Sequence, residues 1–369
     1  MADTDLQRRR DDVAPVHGIA DVTAGWLTTA LAGVLGGGRA ASVTTAPVGT
    51  GKVADTFRLT VDYDPPGSGP ATLVAKVPSA HEVSRGAAKA TRTYEVEASF
   101  YRELAPTVRV NAPRCYHAAY DPATDAYVIL LDDMAPAEQG DQIAGCTAEQ
   151  ADAALVELAE LHASRWGDPT LEAIPWLNRG AAGSGGGSGA DAGGFLAMFV
   201  PPFLERYETM LDDDTVALVR RFPSFAGAYL SERERPWTVV HGDFRLDNLL
   251  FGRERVAVVD WQTVTVGPAL ADVAYFLGAS LPSEVRRAEE ERLVRGYHER
   301  MTAAGVDLSW DDCWSGYRRH AFSGLVMAIA ASMLVRRDDH GDVMFTTMAT
   351  RHSRHALDLD AESLLGVSS

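Results

Sequence analysis

Short stretches of alternating apolar and polar residues dominate the first third of the chain, whereas later stretches repeat apolar residues every three or four positions. Alternation is typical of β-strands, and the longer period is typical of amphipathic helices. Two helices are expected early, a short leading helix over residues 21–34 and a longer one over 85–104, and helices dominate from residue 149 onward. Strands are expected over residues 43–48, 53–63, 71–77, 114–120 and 126–131, with a β-rich island at 237–259.

This change of period divides the chain into two parts. We predict an α+β fold with an N-terminal antiparallel-sheet lobe over residues 1–131 and a short hinge over 132–136. The remaining residues, 137–369, are predicted to form a mainly helical lobe with a small central β-insert. Residues 180–194 contain eight glycines and few apolar residues, which predicts a flexible loop.

Composition excludes several classes of function. The chain is 46% hydrophobic and 23% charged, as in an ordinary globular protein. Its formal net charge of −17 argues against a nucleic-acid partner or an anionic membrane, because both are bound by basic patches. The longest apolar run, 321–335, is shorter than a membrane span and predicts a buried helix. Three widely spaced cysteines and no visible secretory segment predict a cytoplasmic protein with reduced thiols.

The strongest chemical signal is a polar segment held between apolar, strand-like flanks. His241 and Asp243 lie at its start, and Asn248 follows five residues after Asp243. A second short apolar run then leads into Asp260. This spacing resembles the catalytic and metal-binding segments of protein kinases and of aminoglycoside and choline phosphotransferases. The alternative is a set of capping and turn residues in a β-hairpin.

Phosphoryl transfer explains these residue types. A substrate hydroxyl needs a carboxylate that orients it and accepts its proton, and we expect Asp243 to do so. The charge of a triphosphate needs Mg²⁺, for which Asn248 and Asp260 supply oxygen ligands. His241 is interpreted as an organiser of the loop rather than as the base.

Residues upstream fit the same interpretation. Lys76 lies near the end of the run Val74-Ala75-Lys76-Val77. This run is similar to the kinase strand whose lysine reaches the nucleotide phosphates. The alternative is an exposed strand lysine. The segment 94–104 resembles the kinase helix whose glutamate pairs with that lysine. Glu97 is preferred over Glu95, because Phe100 and Tyr101 share its helical face and would turn it inward.

Three further segments complete the set. A nucleotide-covering turn is expected at Gly49-Thr50-Gly51, although Ala54 stands where protein kinases have a third glycine. A Walker A loop is rejected, because Ala46 and Val53 occupy positions that need Gly and Ser or Thr. Asp272 is expected to brace the catalytic loop, or else to be a helix N-terminal charge. Backbone groups for the adenine edge are expected from Leu131, Asp132 and Met134.

Taken in order, these residues resemble the aminoglycoside phosphotransferase/choline kinase superfamily over roughly residues 44–359. The resemblance implies a bilobal protein-kinase-like fold, ATP or alternatively GTP as donor, Mg²⁺, and a small-molecule hydroxyl substrate. Gly-Asp-Phe-x-x-Asp-Asn and Val-Asp-Trp-Gln are most similar to the ecdysteroid-kinase-like branch and related bacterial phosphotransferases. Few residues separate Asp260 from the next helix, which leaves no long activation loop for a peptide substrate.

Two alternatives stay open at this point. One is a pseudokinase that binds nucleotide without turnover, and the other is an antibiotic-inactivating aminoglycoside-type phosphotransferase. An aromatic stripe formed by Trp310, Trp314 and Tyr317 would form either a substrate wall or, as we favour, part of the core. No residue pattern specifies the acceptor or the oligomeric state.

Overall fold

The computed structural model describes residues 13–49, 53–177, 189–231, 235–335 and 337–365. The chain forms two compact units. Unit 1 comprises Met1–Thr107, Ala112–Pro136 and Asp260–Gln262, and unit 2 comprises Val108–Asn111, Ala137–Val259 and Thr263–Ser369. The lobe and hinge boundaries inferred from the sequence, at residues 131/132 and 136/137, stay a prediction.

A five-stranded antiparallel sheet is the centre of unit 1, with the strand order β1-β2-β3-β5-β4. Apolar side chains alternate along β2, so that Leu59, Val61 and Tyr63 are buried while their neighbours reach solvent. These residues pack with Leu73 and Leu130 in one core. The strands are β1 Arg39–Pro47, β2 Ala54–Asp64, β3 Thr72–Pro78, β4 Cys115–Asp121 and β5 Ala126–Asp132.

The helices of unit 1 correct one prediction. After α1, Ala24–Ala30, the helix expected over 85–104 is divided into α2, Glu82–Thr91, and α3, Thr93–Ser99. The break lies at Arg92, whose φ of 57° is left-handed and whose side chain pairs with Glu95. A residue in this conformation ends one helix and redirects the next. A π-helical turn, Phe100–Leu104, follows α3.

The described residues of unit 2 include five short strands in two small sheets. Strands β7 and β10 pair antiparallel, while β8 lies between β6 and β9. The turn Leu246–Asn248 leads directly into β8, so the segment after β7 is fixed at both ends. The strands are β6 Glu138–Gln139, β7 Thr238–Val240, β8 Leu249–Phe251, β9 Val256–Val258 and β10 Thr265–Gly267.

Helices make up the rest of unit 2, as the period of its apolar residues predicts. Helix α11 lies entirely within the apolar run 321–335. No helix in the described parts of the chain is both long and apolar enough to cross a membrane. The helices are α4 Ala148–Ser164, α5 Gly189–Tyr207, α6 Asp213–Arg221, α7 Pro223–Ser231, α8 Leu270–Ser280, α9 Ser283–Ala303, α10 Trp310–Arg319, α11 Ser323–Leu334 and α12 Asp339–Asp358.

The glycine-rich run corrects a second prediction. Residues 189–194, expected to be loop, form the first turns of α5, whereas residues 178–188 lie outside the described part of the chain. Gly193 explains the difference, because a Cβ at this position would lie 2.6 Å from the backbone nitrogen of Gly227 on α7. The glycine lets two helices approach closely, and that packing outweighs the low helix propensity of glycine.

Candidate active site

An ion pair between Lys76 and Glu97 lies inside unit 1. Lys76 is on β3, and its Nζ lies 2.6 Å from Oε1 of Glu97 on α3. The hydroxyl of Tyr127, on β5, donates to Oε2 of Glu97 at 2.7 Å. Only 1% of the Glu97 side chain is exposed, so these two donors replace the water that the carboxylate has lost. Glu95, the other carboxylate considered from the sequence, pairs instead with Arg92 at 2.8 Å.

Asp260 belongs to the same unit and is a second partner of Lys76. Its Oδ1 lies 2.9 Å from Lys76 Nζ, and its Oδ2 accepts a hydrogen bond from Gln262 Nε2 at 3.2 Å. The φ of Asp260 is 66°, a left-handed conformation that is uncommon outside glycine. Trp261, which lies between Asp260 and Gln262 in the sequence, stacks on Phe100 with ring centroids 3.9 Å apart and anchors the segment.

The charges of this group depend on one another. Burial opposes the charge of Lys76, but Asp260 and Glu97 outweigh burial and raise the pKa of the amine above its usual value. Burial raises the pKa of the Glu97 carboxyl, against the lowering effect of Lys76. We take the lysine to be charged, because two carboxylates within 3 Å favour the ammonium form.

The residues predicted to cover and edge a nucleotide are only partly described. Gly49 has a φ of 74°, a turn conformation that glycine adopts without strain, whereas Thr50 and Gly51 lie outside the described residues. Leu131 is buried in β5. The amide of Asp132 donates to the carbonyl of Arg114 at 2.9 Å and is therefore already paired. Met134 follows β5 and is half-buried.

A buried carboxylate organises the candidate catalytic loop of unit 2. Asp272, on α8, accepts the backbone N–H groups of His241 and Gly242 at 2.6 and 3.0 Å. Its Oδ2 also lies 3.3 Å from Nε2 of His162. Burial acts to raise the pKa of Asp272, but the hydrogen bond and charge of His162 hold it below its usual value. The carboxylate therefore stays charged and fixes the loop backbone.

Close packing explains the other residues at the start of the loop. Gly242 has a φ of 79°, and a Cβ there would lie 2.7 Å from the carbonyl oxygen of Thr263. His241 Nε2 lies 3.0 Å from the carbonyl oxygen of Val259, and its Nδ1 accepts the amide of Asp243 at 3.3 Å. The imidazole thus spans the loop backbone, from the amide of Asp243 to the carbonyl of Val259.

Three side chains donate hydrogen bonds to the carboxylate of Asp243. Tyr275 donates its hydroxyl to Oδ1 at 2.6 Å. Arg245 donates Nε to Oδ2 at 3.2 Å, and Asn248 donates Nδ2 to the same oxygen at 3.1 Å. With 14% of its side chain exposed, Asp243 is an oriented anion that still reaches solvent.

Arg245 links two acidic residues of the loop. Its guanidinium contacts Asp247 as well as Asp243, and its Nη1 lies 3.3 Å from Sδ of Met344. Burial opposes its charge, but Asp243 and then Asp247 outweigh burial and raise its pKa. Gln142 holds the same turn from outside, because its Oε1 accepts the amide of Leu246 at 2.9 Å.

Sequence reasoning missed four of these residues: Arg245, Tyr275, Gln142 and His162. Two of them carried a usable signal. Arg245 lies two residues after Asp243 in the same motif, and Tyr275 lies three residues after Asp272, on the same face of a helix. Gln142 and His162 are brought to the loop by tertiary packing alone.

The donor chemistry of two predicted ligands fits Mg²⁺, which prefers carboxylate and amide oxygens. Asn248 uses its amide nitrogen for Asp243, so its amide oxygen is the group left for a cation. Asp260 offers a carboxylate. Within the described residues, no group of three or more His, Cys, Asp or Glu side chains is arranged to hold a metal ion.

The aromatic stripe is packed against its own unit. Trp314 stacks on Trp310 and on Tyr317, with ring centroids 5.6 and 5.4 Å apart. Tyr317 is fully buried, and its hydroxyl donates to Glu290 at 2.9 Å. Arg295 lies over the ring of Trp310, 4.0 Å from its centroid. The three rings therefore pack against one another and against residues of unit 2, with Tyr317 in the core.

Comparison with known proteins identifies a matching protein family. Residues 47–308 match the sequence model of the phosphotransferase enzyme family. Over 119 residues, 31% of this chain, the sequence is 32% identical to mouse acyl-CoA dehydrogenase family member 10. Over 86 residues, 22% of this chain, it is 29% identical to human acyl-CoA dehydrogenase family member 11. The matched segments span only 10% and 11% of those longer proteins.

Two solved structures share the fold. Choline kinase from Cryptosporidium parvum aligns with a TM-score of 0.54 and 10% identity, over 98% of this chain and 96% of that one. The Plasmodium vivax ethanolamine kinase aligns with a TM-score of 0.52 and 9% identity, over 84% and 82%. The predicted α+β, bilobal kinase-like fold and the superfamily are confirmed, while the ecdysteroid-kinase-like branch stays a prediction.

Proposed function

Because the chain belongs to the phosphotransferase enzyme family, we propose that it is an ATP-dependent kinase that phosphorylates a hydroxyl group of a small molecule. The supporting observation is the loop of unit 2, in which Asp243 accepts three side-chain hydrogen bonds above the buried anchor Asp272. Such a loop presents one fixed carboxylate, which is what positioning a hydroxyl group requires.

In this proposal Asp243 orients the acceptor and takes its proton. The acceptor oxygen forms a bond to the γ-phosphorus, the bond from that phosphorus to the β,γ-bridging oxygen breaks, and ADP leaves. The hydroxyl proton passes to the Asp243 carboxylate. Tyr275 and Arg245 keep the carboxylate in place during transfer, since positioning and electrostatics supply most of phosphoryl-transfer catalysis.

The remaining residues are assigned to the donor. Lys76, fixed by Glu97, would place its ammonium group against the phosphates. Asn248 and Asp260 would hold Mg²⁺, which when bound neutralises triphosphate charge. Val259 donates its amide to the carbonyl of Asn248 at 3.0 Å, which ties Asn248 to the residue immediately before Asp260. Gly49, Thr50, Gly51, Leu131, Asp132 and Met134 remain proposed nucleotide contacts.

The proposal is tested by binding and transfer measured on the same four proteins. Wild type, Asp243→Asn, Asp260→Ala and the control Asp152→Asn are titrated with Mg-ATP and Mg-GTP in a thermal-shift assay. Transfer from [γ-³²P]ATP is then followed with choline, ethanolamine, glycerol, an aminoglycoside and water as acceptors. Asp152 forms an ion pair with Arg300 of α9 in the same unit and has no proposed part in transfer.

We expect Mg-ATP to raise the unfolding midpoint of wild type by mass action. Asp243→Asn should keep that shift and lose transfer by about 10²- to 10⁴-fold, the usual contribution of a general base. Asp260→Ala should lose the Mg²⁺-dependent shift, and Asp152→Asn should behave as wild type. Full transfer by Asp243→Asn would refute the assignment, and binding without transfer to any acceptor would identify a pseudokinase.

A further inference from the structure

Tyr275 is a buried hydroxyl-bearing residue aimed at the proposed catalytic carboxylate. It lies on α8, one turn after Asp272, and only 3% of its surface is exposed. Its hydroxyl donates to Oδ1 of Asp243 at 2.6 Å, which is a short, charge-assisted hydrogen bond. Helix α8 therefore holds the loop twice, since Asp272 binds its backbone and Tyr275 binds its carboxylate.

The two oxygens of Asp243 are held differently. Oδ2 accepts from Arg245 and Asn248, both of which belong to the loop itself. Oδ1 accepts from Tyr275, a donor from a separate helix. A carboxylate oxygen can accept two hydrogen bonds, so Oδ1 keeps one position for an acceptor hydroxyl. The hydrogen bond from Tyr275 thereby fixes the direction from which Oδ1 can accept a second hydrogen bond.

The ring of Tyr275 is itself supported from the C-terminal helix. It stacks on His352 of α12, with ring centroids 5.6 Å apart and an interplanar angle of 30°. His352 is fully buried between Gly278 and Gly324, where a Cβ on either glycine would overlap its ring. Helix α12 lies beyond residue 308, where the family match ends. The support is thus a feature of this chain outside the matched segment.

Burial, and then the charge of Asp243, raise the pKa of Tyr275 well above its usual value. The hydroxyl therefore stays protonated near neutral pH and keeps its proton for the hydrogen bond to Asp243.

We propose that Tyr275 is a positioning residue for phosphoryl transfer: it fixes the rotamer of the Asp243 carboxylate, and His352 of α12 fixes Tyr275. The proposal rests on the function proposed above. Without the hydroxyl, the Asp243 carboxylate loses the hydrogen bond that reaches it from helix α8, outside the loop. The acceptor hydroxyl is then aligned in a smaller fraction of complexes, which lowers kcat.

The test compares two tyrosines that differ in what they touch. Tyr275→Phe removes the hydroxyl that donates to Asp243. Tyr317→Phe removes a buried hydroxyl that lies 2.9 Å from both Glu290 and His355 and does not contact Asp243. Transfer from [γ-³²P]ATP is measured with the fastest acceptor among choline, ethanolamine, glycerol and an aminoglycoside, or with water where none reacts. Unfolding midpoints are recorded for both variants, because Tyr275→Phe loses one buried hydrogen bond and Tyr317→Phe loses two.

We expect Tyr275→Phe to lower kcat by about ten- to a hundredfold while the KM for ATP and the Mg-ATP thermal shift stay at wild-type values. Tyr317→Phe should lower the unfolding midpoint at least as much and leave kcat unchanged. His352→Gln, which keeps the tyrosine hydroxyl but removes the stacked ring, should lower kcat in the same direction by a smaller factor. It is the second variant should Tyr275→Phe not fold.

A double variant separates positioning from a general structural effect. In the Asp243→Asn background, Tyr275→Phe should cause little further loss in single-turnover transfer, because the hydroxyl acts only through that carboxylate. An undiminished further loss would overturn the proposal. So would wild-type kcat in Tyr275→Phe when Asp243→Asn is inactive, which leaves the kinase function standing. No transfer by wild type, even to water, would overturn both.

Discussion

Glu97 is ionisable and yet has almost no contact with solvent. Its two oxygens are satisfied by Lys76 and Tyr127, from two different strands of the sheet. A buried ion pair of this kind is worth little relative to an apolar pair, but removing one member leaves a desolvated charge. The pair is therefore vulnerable to a single substitution on either side.

Lys76→Met is expected to lower the free energy of unfolding by about 3–5 kcal/mol, because it leaves the Glu97 carboxylate buried without a cation. The double variant Lys76→Met/Glu97→Gln should recover more than half of that loss, since an amide carries no charge and still accepts from Tyr127. Urea unfolding followed by tryptophan fluorescence measures both. Equal losses in the single and double variants would show that the charge of Glu97 is not the cause.

Single residues also show how far the sequence alone reaches. Asp243, Asn248 and Asp260 could be identified because their spacing is local and their apolar flanks are visible in the chain. Glu97 could be preferred over Glu95 from helical periodicity. Tyr275 shares a helix face with Asp272, but its role was not identified. The hydrogen bond from Tyr275 to Asp243 joins residues 32 positions apart in the sequence.

Helix α5 shows packing prevailing over local propensity. Its first turns are rich in glycine, the residue that disfavours helices most after proline. Their sequence indicates a loop, and only the contact of Gly193 with Gly227 on α7 reveals why a residue without a side chain is needed. Such a contact joins distant segments, so no local pattern predicts it.

Two adjacent glycines of α5 should respond oppositely to alanine. Gly193→Ala places a methyl group against the backbone of Gly227 and should cost about 1–3 kcal/mol of stability through overpacking. At Gly194 a Cβ would meet nothing within 4 Å, so Gly194→Ala should stabilise by about 0.5–1 kcal/mol through helix propensity. Thermal unfolding of the two variants measures both effects. The same sign for both would show that the close helix contact is not formed in solution.

The protein as a whole combines an acidic surface with buried neutral histidines. Acidification from pH 7 reduces the net charge of −17, which lessens self-repulsion and favours the compact state. His352 and His355 act in the opposite direction. Burial lowers the pKa of His352 to about 3 and that of His355 well below its usual value.

A histidine whose folded pKa is lowered binds its proton more readily when unfolded. Its contribution to stability is complete above the unfolded pKa near 6.5 and is lost as the pH falls below it. His352 alone should therefore cost about 2 kcal/mol between pH 7 and pH 5. His352→Gln should remove that part of the pH dependence in urea unfolding, whereas His340→Gln, at an exposed position of the same helix, should not. Parallel pH profiles for wild type and His352→Gln would contradict the buried neutral state.

The order of strands and helices along the chain was more predictable than the points at which helices break. The change from a period of two to a period near 3.6 indicates a sheet followed by helices, and the ordered motifs indicate the kinase-like fold. The break at Arg92 was not predicted, because the sequence on both sides favours helix and only the left-handed backbone separates them. Contacts between residues that are far apart in the sequence produce no comparable local sequence pattern.

Helix α12 lies beyond the family match and contacts residues of the proposed catalytic loop and its support, through Met344 on Arg245 and His352 on Tyr275. A chimaera that joined residues 1–308 of this chain to the C-terminal helices of a relative would inherit every motif residue intact. It would nevertheless exchange the ring beneath Tyr275 and the thioether beside Arg245. If the proposed role of Tyr275 holds, recombination at that boundary would separate the motif residues of the family from side chains that set the rate, and selection would have to match the two again.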